Sequence, residues 1–106
     1  MIENLKELFA NKRVRTSWDE ERQDWWFSVV DIVAVFTDSK NPRRYWCDLK
    51  RKAKAQGSQL YDEIVQLKLK SDDGKFYMTD VANTKQIRQI IESIPSAKAE
   101  LFMTKK

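Results

Sequence analysis

The sequence predicts a small single domain of the α+β class, and three patterns lead to that prediction. Residues 13–27 and 64–78 each alternate apolar and polar side chains on either side of turn residues, which is typical of β-hairpins. Residues 29–36 form a short apolar segment, and residues 42–56 keep helical spacing. With 106 residues, of which 42% are hydrophobic and 34% charged, the chain is long enough to bury the core of one globular domain.

The first half of the chain starts with a predicted helix over residues 2–9, and the first hairpin follows it. Alternation along the second strand places Trp25 and Trp26 on opposite faces, so at least one of them is expected in the core. Ser28 has the position of an N-cap for the apolar helix, and Asp31 occupies the capping-box position three residues later.

A second helix is predicted directly after the apolar one. Residues 37–41 have turn composition, and Pro42 suits the first position of a helix with Asn41 as its cap. This helix is expected to continue to Gln56 and to end at Gly57, because glycine readily adopts the left-handed conformation that ends helices.

The second hairpin is predicted from Asp-Gly in the turn at residues 71–75, between strands at 64–70 and 75–78. The first of these strands should face the core with Val65, Leu67 and Leu69. Thr84 is expected to cap the next helix, which carries isoleucines at core spacing, namely Ile87, Ile90, Ile91 and Ile94. A last short helix should start at Ser96.

The net charge of +4 is distributed very unevenly. Residues 40–54 contain seven basic residues and one acid, a net charge of +6, so the rest of the chain sums to −2. On a helical wheel the apolar side of this segment holds Tyr45, Trp46, Leu49 and Ala53. The opposite side is almost purely cationic, with Arg43, Arg44, Lys50, Arg51 and Lys54 beside Cys47.

An ordinary solvated helix face usually mixes acids with bases, because like charges at neighbouring positions repel. Neither the Lys50–Lys54 pair nor the Arg44–Arg51 pair has an acidic neighbour on this face of the wheel. The sequence therefore favours an external polyanion over a merely solvated surface.

The order of elements indicates which polyanion. A short helix, a turn and a basic helix resemble a helix-turn-helix, and the hairpin at 64–78 occupies the place of a wing, so the helix pair is helix-turn-helix-like and winged-helix-like. Arg44 and Arg51 are expected to reach base edges of duplex DNA, because guanidinium binds guanine bidentately. The predicted DNA contacts are Lys40, Asn41, Arg43, Arg44, Lys50, Arg51 and Lys54 from the helix, and Lys68, Lys70 and Lys75 from the hairpin.

Catalytic and metal chemistry find little support. The chain has no histidine, one cysteine and two glycines, which excludes imidazole catalysis, a thiolate zinc site and a glycine-rich phosphate loop. No enzyme activity and no cofactor are therefore predicted, and Cys47 is expected to be a passive surface residue. Trp26 and Tyr77 are candidates for stacking on single-stranded bases, an option ranked below core packing.

Three separated blocks carry a resemblance to a known family: "WWFSVVDIVAVFTDSKNPRRYW" (25–46), "FYMTDVANT" (76–84) and "IIESIPSAKAE" (90–100). Together they resemble the BRO N-terminal domain, which opens prophage antirepressors, baculovirus repeated-open-reading-frame proteins and the DNA-damage-inducible protein D group. The resemblance covers about residues 11–100. It implies a non-enzymatic α+β DNA-binding module that precedes a C-terminal effector domain, with "SKNPRRYW" (39–46) as the contact segment.

The chain departs from that family at its end, where relatives continue with "PSPKAEPF" and this sequence reads "PSAKAELFMTKK". Residues 1–106 are therefore expected to be the N-terminal part of a longer protein. The alternative function is a protein-interaction module that engages a repressor or another acidic partner through the same cationic face. Tandem use or a homodimer would be expected from the small size of one such surface, although no residue pattern encodes either.

The environment of the chain is predicted from what its composition lacks. No apolar segment approaches the ~20 residues of a membrane span, and the acidic N-terminal turns do not suit a signal peptide. A lone cysteine suits a reducing compartment. The sequence thus predicts a cytoplasmic protein without a membrane partner.

Overall fold

The structure, a computed structural model, describes residues 14–37, 39–57 and 64–95. These ranges contain β1 (Thr16–Asp19), β2 (Asp24–Ser28), α1 (Val29–Thr37), α2 (Pro42–Ala55), β3 (Val65–Lys70), β4 (Phe76–Ala82) and α3 (Thr84–Glu92). The predicted α+β class is confirmed, whereas the helices expected over 2–9 and from Ser96 lie outside the described residues. None of the helices in the described ranges is long and apolar enough to cross a membrane.

The four described strands form one antiparallel sheet in the order β1-β2-β4-β3. Each hairpin pairs its own two strands, and the pairs Phe27–Ala82 and Ser28–Val81 join β2 to β4. β4 is therefore an inner strand and extends to Ala82, beyond the predicted end at Met78. This extension depends on a partner strand far earlier in the chain, so local alternation does not reveal it.

The junction between β2 and α1 confirms the predicted cap but not the predicted capping box. The hydroxyl of Ser28 accepts the backbone N–H of Asp31 at 3.4 Å. The carboxylate of Asp31 instead accepts the backbone N–H, Nε and Nη2 of Arg15 at 3.0, 2.8 and 3.2 Å. The N–H of Ser28 donates to the carbonyl of Arg15 at 2.9 Å, so the bond that a capping box needs is already made by the hairpin.

Helix α2 begins and ends where the sequence predicts. Asn41 is its N-cap, with Oδ1 accepting the N–H of Arg44 at 3.1 Å, and Pro42 fills the first helical position. At the other end Gly57 adopts a φ of +80° and donates its N–H to the carbonyl of Lys54 at 3.0 Å. A left-handed residue of this kind satisfies the last helical carbonyls and stops the helix.

Helix α3 follows β4 after a capping residue that differs from the prediction. Asn83, not Thr84, caps the helix: the Asn83 side chain accepts the N–H of Gln86, and the Gln86 side chain accepts the N–H of Asn83, both at 2.9 Å. The hydroxyl of Thr84 donates to Oδ1 of Asp24 at 2.6 Å, so it is engaged with the first hairpin. The capping box fixes the helix start one residue earlier than expected.

The main core packs the helices against one face of the sheet. The predicted isoleucine stripe is buried, but only Ile87, Ile90 and Ile91 belong to α3, because the helix ends at Glu92 and Ile94 follows it. Trp25 packs beside this core, whereas Trp26 belongs to a smaller cluster with Val81 and Leu69 on the other side of the sheet. The two tryptophans therefore lie on opposite faces as predicted, and the burial of Trp26 leaves it unable to stack on bases.

Candidate nucleic-acid interface

Helix α2 separates apolar and cationic side chains onto opposite sides. Trp46 is buried in the main core, and Tyr45, Leu49 and Ala53 pack against it, as the helical wheel predicts. The opposite, exposed side carries Arg43, Arg44, Cys47, Arg51 and Lys54. Because burial of Trp46 fixes the rotation of the helix about its axis, it also fixes the direction in which the cations project.

We define the exposed side chains Arg43, Arg44, Arg51 and Lys54 as the basic face of α2. Asp48 is the only described acid that pairs with it, through a distance of 3.5 Å between its Oδ1 and Nη1 of Arg51. The prediction that Arg51 lacks an acidic neighbour was wrong. The pair is weak, however, because Arg51 is largely exposed and Asp48 is half-exposed. Arg43, Arg44 and Lys54 form no ion pair with any described residue.

The start of α2 forms a shallow surface depression of about 320 Å³, lined by Asn41, Arg43, Arg44, Cys47, Asp48 and Arg51. Oδ1 of Asn41 is occupied by the N–H of Arg44, so only the amide NH₂ of Asn41 is left to donate to a ligand. Lys40 is exposed just before the cap. The depression thus brings three arginines and an amide donor together beside the carboxylate of Asp48.

Lys50 differs from the other predicted contacts because it forms a short ion pair with a largely buried acid from another element. Its Nζ lies 2.8 Å from Oδ2 of Asp80 on β4 and 5.3 Å from the centroid of the Trp46 ring. The prediction that Lys50 lacks an acidic neighbour was wrong, because a helical wheel cannot show an acid that comes from a distant strand. The side chain of Lys50 is 32% exposed, against 12% for Asp80.

The carboxylate of Asp80 connects α2 to both strands of the second hairpin. Its Oδ2 also accepts Nε1 of Trp46 at 2.7 Å, and its Oδ1 accepts Nε2 of Gln66 on β3 at 2.9 Å. Burial alone would raise the pKa of Asp80, but the hydrogen bonds from Lys50, Trp46 and Gln66 outweigh it and hold that pKa below its ordinary value. The carboxylate is therefore charged at neutral pH and holds the hairpin against α2.

The register of the second hairpin places lysines opposite large apolar side chains. Lys68 pairs with Met78, and Lys70 pairs with Phe76. Gln66 pairs with Asp80 in the same ladder, so alternation puts these pairs on the side of the sheet that Asp80 shares with α2. We call Lys68, Lys70, Phe76 and Met78 the hairpin face.

A second contact holds this hairpin near its turn. Nη1 of Arg15 donates to the carbonyl of Lys70 at 3.3 Å, while the rest of the same guanidinium binds Asp31 and Ser28. Lys75 lies in the turn, where its N–H donates to Asp73 at 2.8 Å. Contacts at both ends of the hairpin thus define its position relative to α1 and α2.

Sequence reasoning missed Asp80 and the apolar pair of the hairpin face. Asp80 gives no local signal, because its partners on α2 and β3 are separated from it along the chain. The apolar pair does give a signal: counting outward from the Asp-Gly turn sets Phe76 opposite Lys70 and Met78 opposite Lys68. That register exposes two hydrophobic side chains next to two cations.

Comparison with known proteins adds no assignment: neither a family model, nor a curated protein, nor a solved structure matches this chain. The resemblance to the BRO N-terminal domain therefore stays a hypothesis. The site must be interpreted from its own geometry and charge.

Proposed function

We propose that this domain binds duplex DNA through the basic face of α2 and through the hairpin β3–β4. The observation that carries the proposal is the pairing of two cationic elements in one fixed arrangement, with Asp80 holding the lysine-bearing hairpin beside the arginine-bearing helix. Duplex DNA offers one phosphate charge per ~1.7 Å of axis, so a surface with several uncompensated cations suits it.

The residues take different roles in this proposal. Arg44 and Arg51 are the candidates for base edges, because their planar guanidinium groups match the acceptors of guanine. Six further cations are assigned to phosphates: Arg43 and Lys54 of α2, Lys40 just before its N-cap, and the hairpin lysines Lys68, Lys70 and Lys75. Asn41 contributes its amide NH₂, and Lys50 is assigned to positioning because it binds Asp80.

The resemblance to the BRO N-terminal domain supports the same proposal and extends it. It points to a non-enzymatic, cytoplasmic regulator of transcription of the antirepressor type, working without a cofactor. The alternative is a module that engages a repressor or another acidic protein through the same cationic surface, and the exposed Phe76 and Met78 favour some macromolecular contact in either case.

The test is the affinity for a random-sequence duplex measured between about 50 and 200 mM salt, where five or six phosphate contacts give a log–log slope near −5. Replacing Arg44→Glu together with Arg51→Glu should weaken binding about 100-fold or more, as expected when two base or phosphate contacts become repulsive. Thermal unfolding of the double variant checks that the fold persists.

The matched control is Lys85→Glu, compared with the single change Arg44→Glu. Both changes reverse one charge at an exposed position in the first turn of a helix, α3 in one case and α2 in the other. Only Arg44→Glu should reduce affinity. Equal losses of affinity in the two variants would show that binding depends on net charge alone. Absence of binding at the lowest salt would favour the alternative function, in which the cationic face engages an acidic protein partner.

A further inference from the structure

The hairpin face exposes more apolar surface than a stable sheet requires. Phe76 is 62% exposed and Met78 is 55% exposed, and the two lie two residues apart on one side of β4. Isolated exposed apolar residues are common, but two large ones side by side form a patch, and such patches mark contact surfaces. Tyr77 between them points to the other side of the strand and donates its hydroxyl to Asp73 at 2.6 Å.

The patch is presented on a hairpin whose position is held. The carboxylate of Asp80 joins this hairpin to α2, and the guanidinium of Arg15 contacts its outer strand at Lys70. A ribbon held in this way loses little backbone freedom when its side chains enter a partner, so the hairpin backbone is preorganised for binding.

The positive charges beside this patch indicate which kind of partner fits it. Lys70 and Lys68 are the direct cross-strand neighbours of Phe76 and Met78, and neither lysine forms an ion pair with a described residue. An apolar protein surface would desolvate both lysines without compensation. A nucleic acid duplex satisfies both groups together, because phosphates line each groove and the flat faces of the bases, which an opened base step exposes, are apolar.

We propose that Phe76 and Met78 form an apolar wedge that enters the minor groove beside the α2 site, opens a base step and bends the duplex. This inference rests on the proposed DNA-binding function and specifies how the hairpin takes part in it. Phenylalanine and methionine are among the side chains that proteins insert between base steps, with flanking cations on the phosphates. The flanking cations are Lys68 and Lys70.

A wedge has consequences that phosphate contacts lack. Pyrimidine–purine steps such as TA and CA/TG are easily unstacked, whereas A-tracts are stiff. The domain should therefore prefer duplexes rich in flexible steps over A-tract duplexes of equal length. It should also bring the ends of the duplex closer together on binding.

The experiment uses the full chain of 106 residues and duplexes of about 30 base pairs with a fluorescent donor and acceptor at their ends. One duplex is rich in TA and CA/TG steps, and the other consists of A-tracts. The variant Phe76→Ala with Met78→Ala should lose the bend, lose the preference for flexible steps and bind about tenfold more weakly, as expected for loss of a base-stacking contact. Its salt slope should stay that of the wild type, because the lysines remain.

Tyr77→Ala is the matched control, since it truncates a large side chain that is 46% exposed on the opposite side of the same strand. It should keep both the bend and the step preference. Circular dichroism and thermal unfolding establish that each variant is folded.

The possible outcomes distinguish the wedge from the proposed DNA-binding function on which it rests. The wedge is overturned if the wild type binds through Arg44 and Arg51 without bending the duplex. It is overturned equally if the Phe76/Met78 variant bends the duplex as much as the wild type does. In both cases DNA binding stays intact, and the patch is assigned to a protein partner. Absence of wild-type binding to either duplex at low salt overturns both.

Discussion

The two hairpins of the sheet treat their aromatic and charged side chains in opposite ways. In β1–β2 these groups satisfy one another: Trp18 packs edge to face on Trp25 with ring centroids 5.0 Å apart, and Nε1 of Trp26 donates to Asp19 at 3.0 Å. Arg22 lies 5.5 Å from the centroid of the Trp26 ring and forms an ion pair with Asp19. Most aromatic and charged side chains of this hairpin therefore have partners within it.

In β3–β4 Tyr77 and Asp80 are hydrogen-bonded as well, but the four side chains of the hairpin face remain available. Phe76 and Met78 are exposed, and the lysines opposite them form no ion pair with a described residue. Both hairpins belong to the same sheet and both have acidic residues in their turns, so the fold itself does not demand the second arrangement. The difference fits a scaffold role for the first hairpin and a binding role for the second.

The largest expected effect comes from separating the second hairpin from α2. Asp80→Ala removes the acceptor of Lys50, Trp46 and Gln66, so we expect the free energy of unfolding to fall by about 2–3 kcal/mol, as for the loss of one partner from a largely buried charged network. Urea unfolding followed by tryptophan fluorescence measures it. Asp72→Ala, which removes an exposed carboxylate of the same turn that forms no hydrogen bond or ion pair with a described residue, serves as control and should leave the unfolding midpoint unchanged.

An Asp80→Ala variant as stable as the wild type would show that the hairpin is held by other contacts. The comparison between the hairpins would then lose its structural basis, because the orientation of the lysines would no longer depend on α2.

The next effect distinguishes the hairpins by charge. Lys70→Ala and Arg22→Ala each remove one cation from an exposed hairpin position. The first should reduce the salt slope of duplex binding by about 0.9, the value for one phosphate contact, and the second should leave it unchanged. Adding Lys68→Ala and Lys75→Ala should take the total reduction to about 2.7. Equal effects of Lys70→Ala and Arg22→Ala would contradict a special role for β3–β4.

A smaller effect follows from the lowered pKa of Asp80. A carboxyl group with a folded-state pKa below its ordinary 3.8 binds its proton more readily when unfolded, so it stabilises the fold above that pH. This contribution is lost as pH falls through the lower, folded-state pKa. The stability difference between wild type and Asp80→Asn should therefore be constant at neutral pH and shrink in acid, which urea unfolding across pH 2–7 measures. A stability difference that grows in acid would show instead that folding raises the pKa of Asp80.

The smallest effect concerns the side of β4 that faces away from α2. The hydrogen bond from Tyr77 to the Asp73 carboxylate raises the pKa of Tyr77 above its ordinary value. Asp73→Asn should lower the pKa of Tyr77, so that the absorbance of its phenolate appears at a lower pH. A pH titration of absorbance, with Tyr77→Phe as the reference, measures this shift. DNA affinity should not change in either variant, and a loss of affinity would extend the interface to the opposite side of the strand.

Much of the fold follows from local chemistry that the sequence displays. The bounds of α2 are encoded by Asn41, Pro42 and Gly57, since each satisfies or blocks backbone groups within one turn. The isoleucine spacing of α3 identifies its buried stripe, and Asp-Gly identifies the second turn. The cationic side of α2 is likewise visible, because helical periodicity alone separates it from Trp46.

What the sequence alone determined is therefore the α+β class, the hairpins, the helix pair and the concentration of charge on α2. Only the tertiary structure decided that β4 joins the two hairpins, that Asp31 binds Arg15 and that Asp80 neutralises Lys50. The physical reason is range: caps, turns and periodic faces depend on residues within a few positions, whereas an ion pair or a strand pairing depends on which distant segments the core brings together. The ion pair of Lys50 was decided at that second level, whereas the cross-strand pairs of the hairpin face follow from the register that the Asp-Gly turn sets.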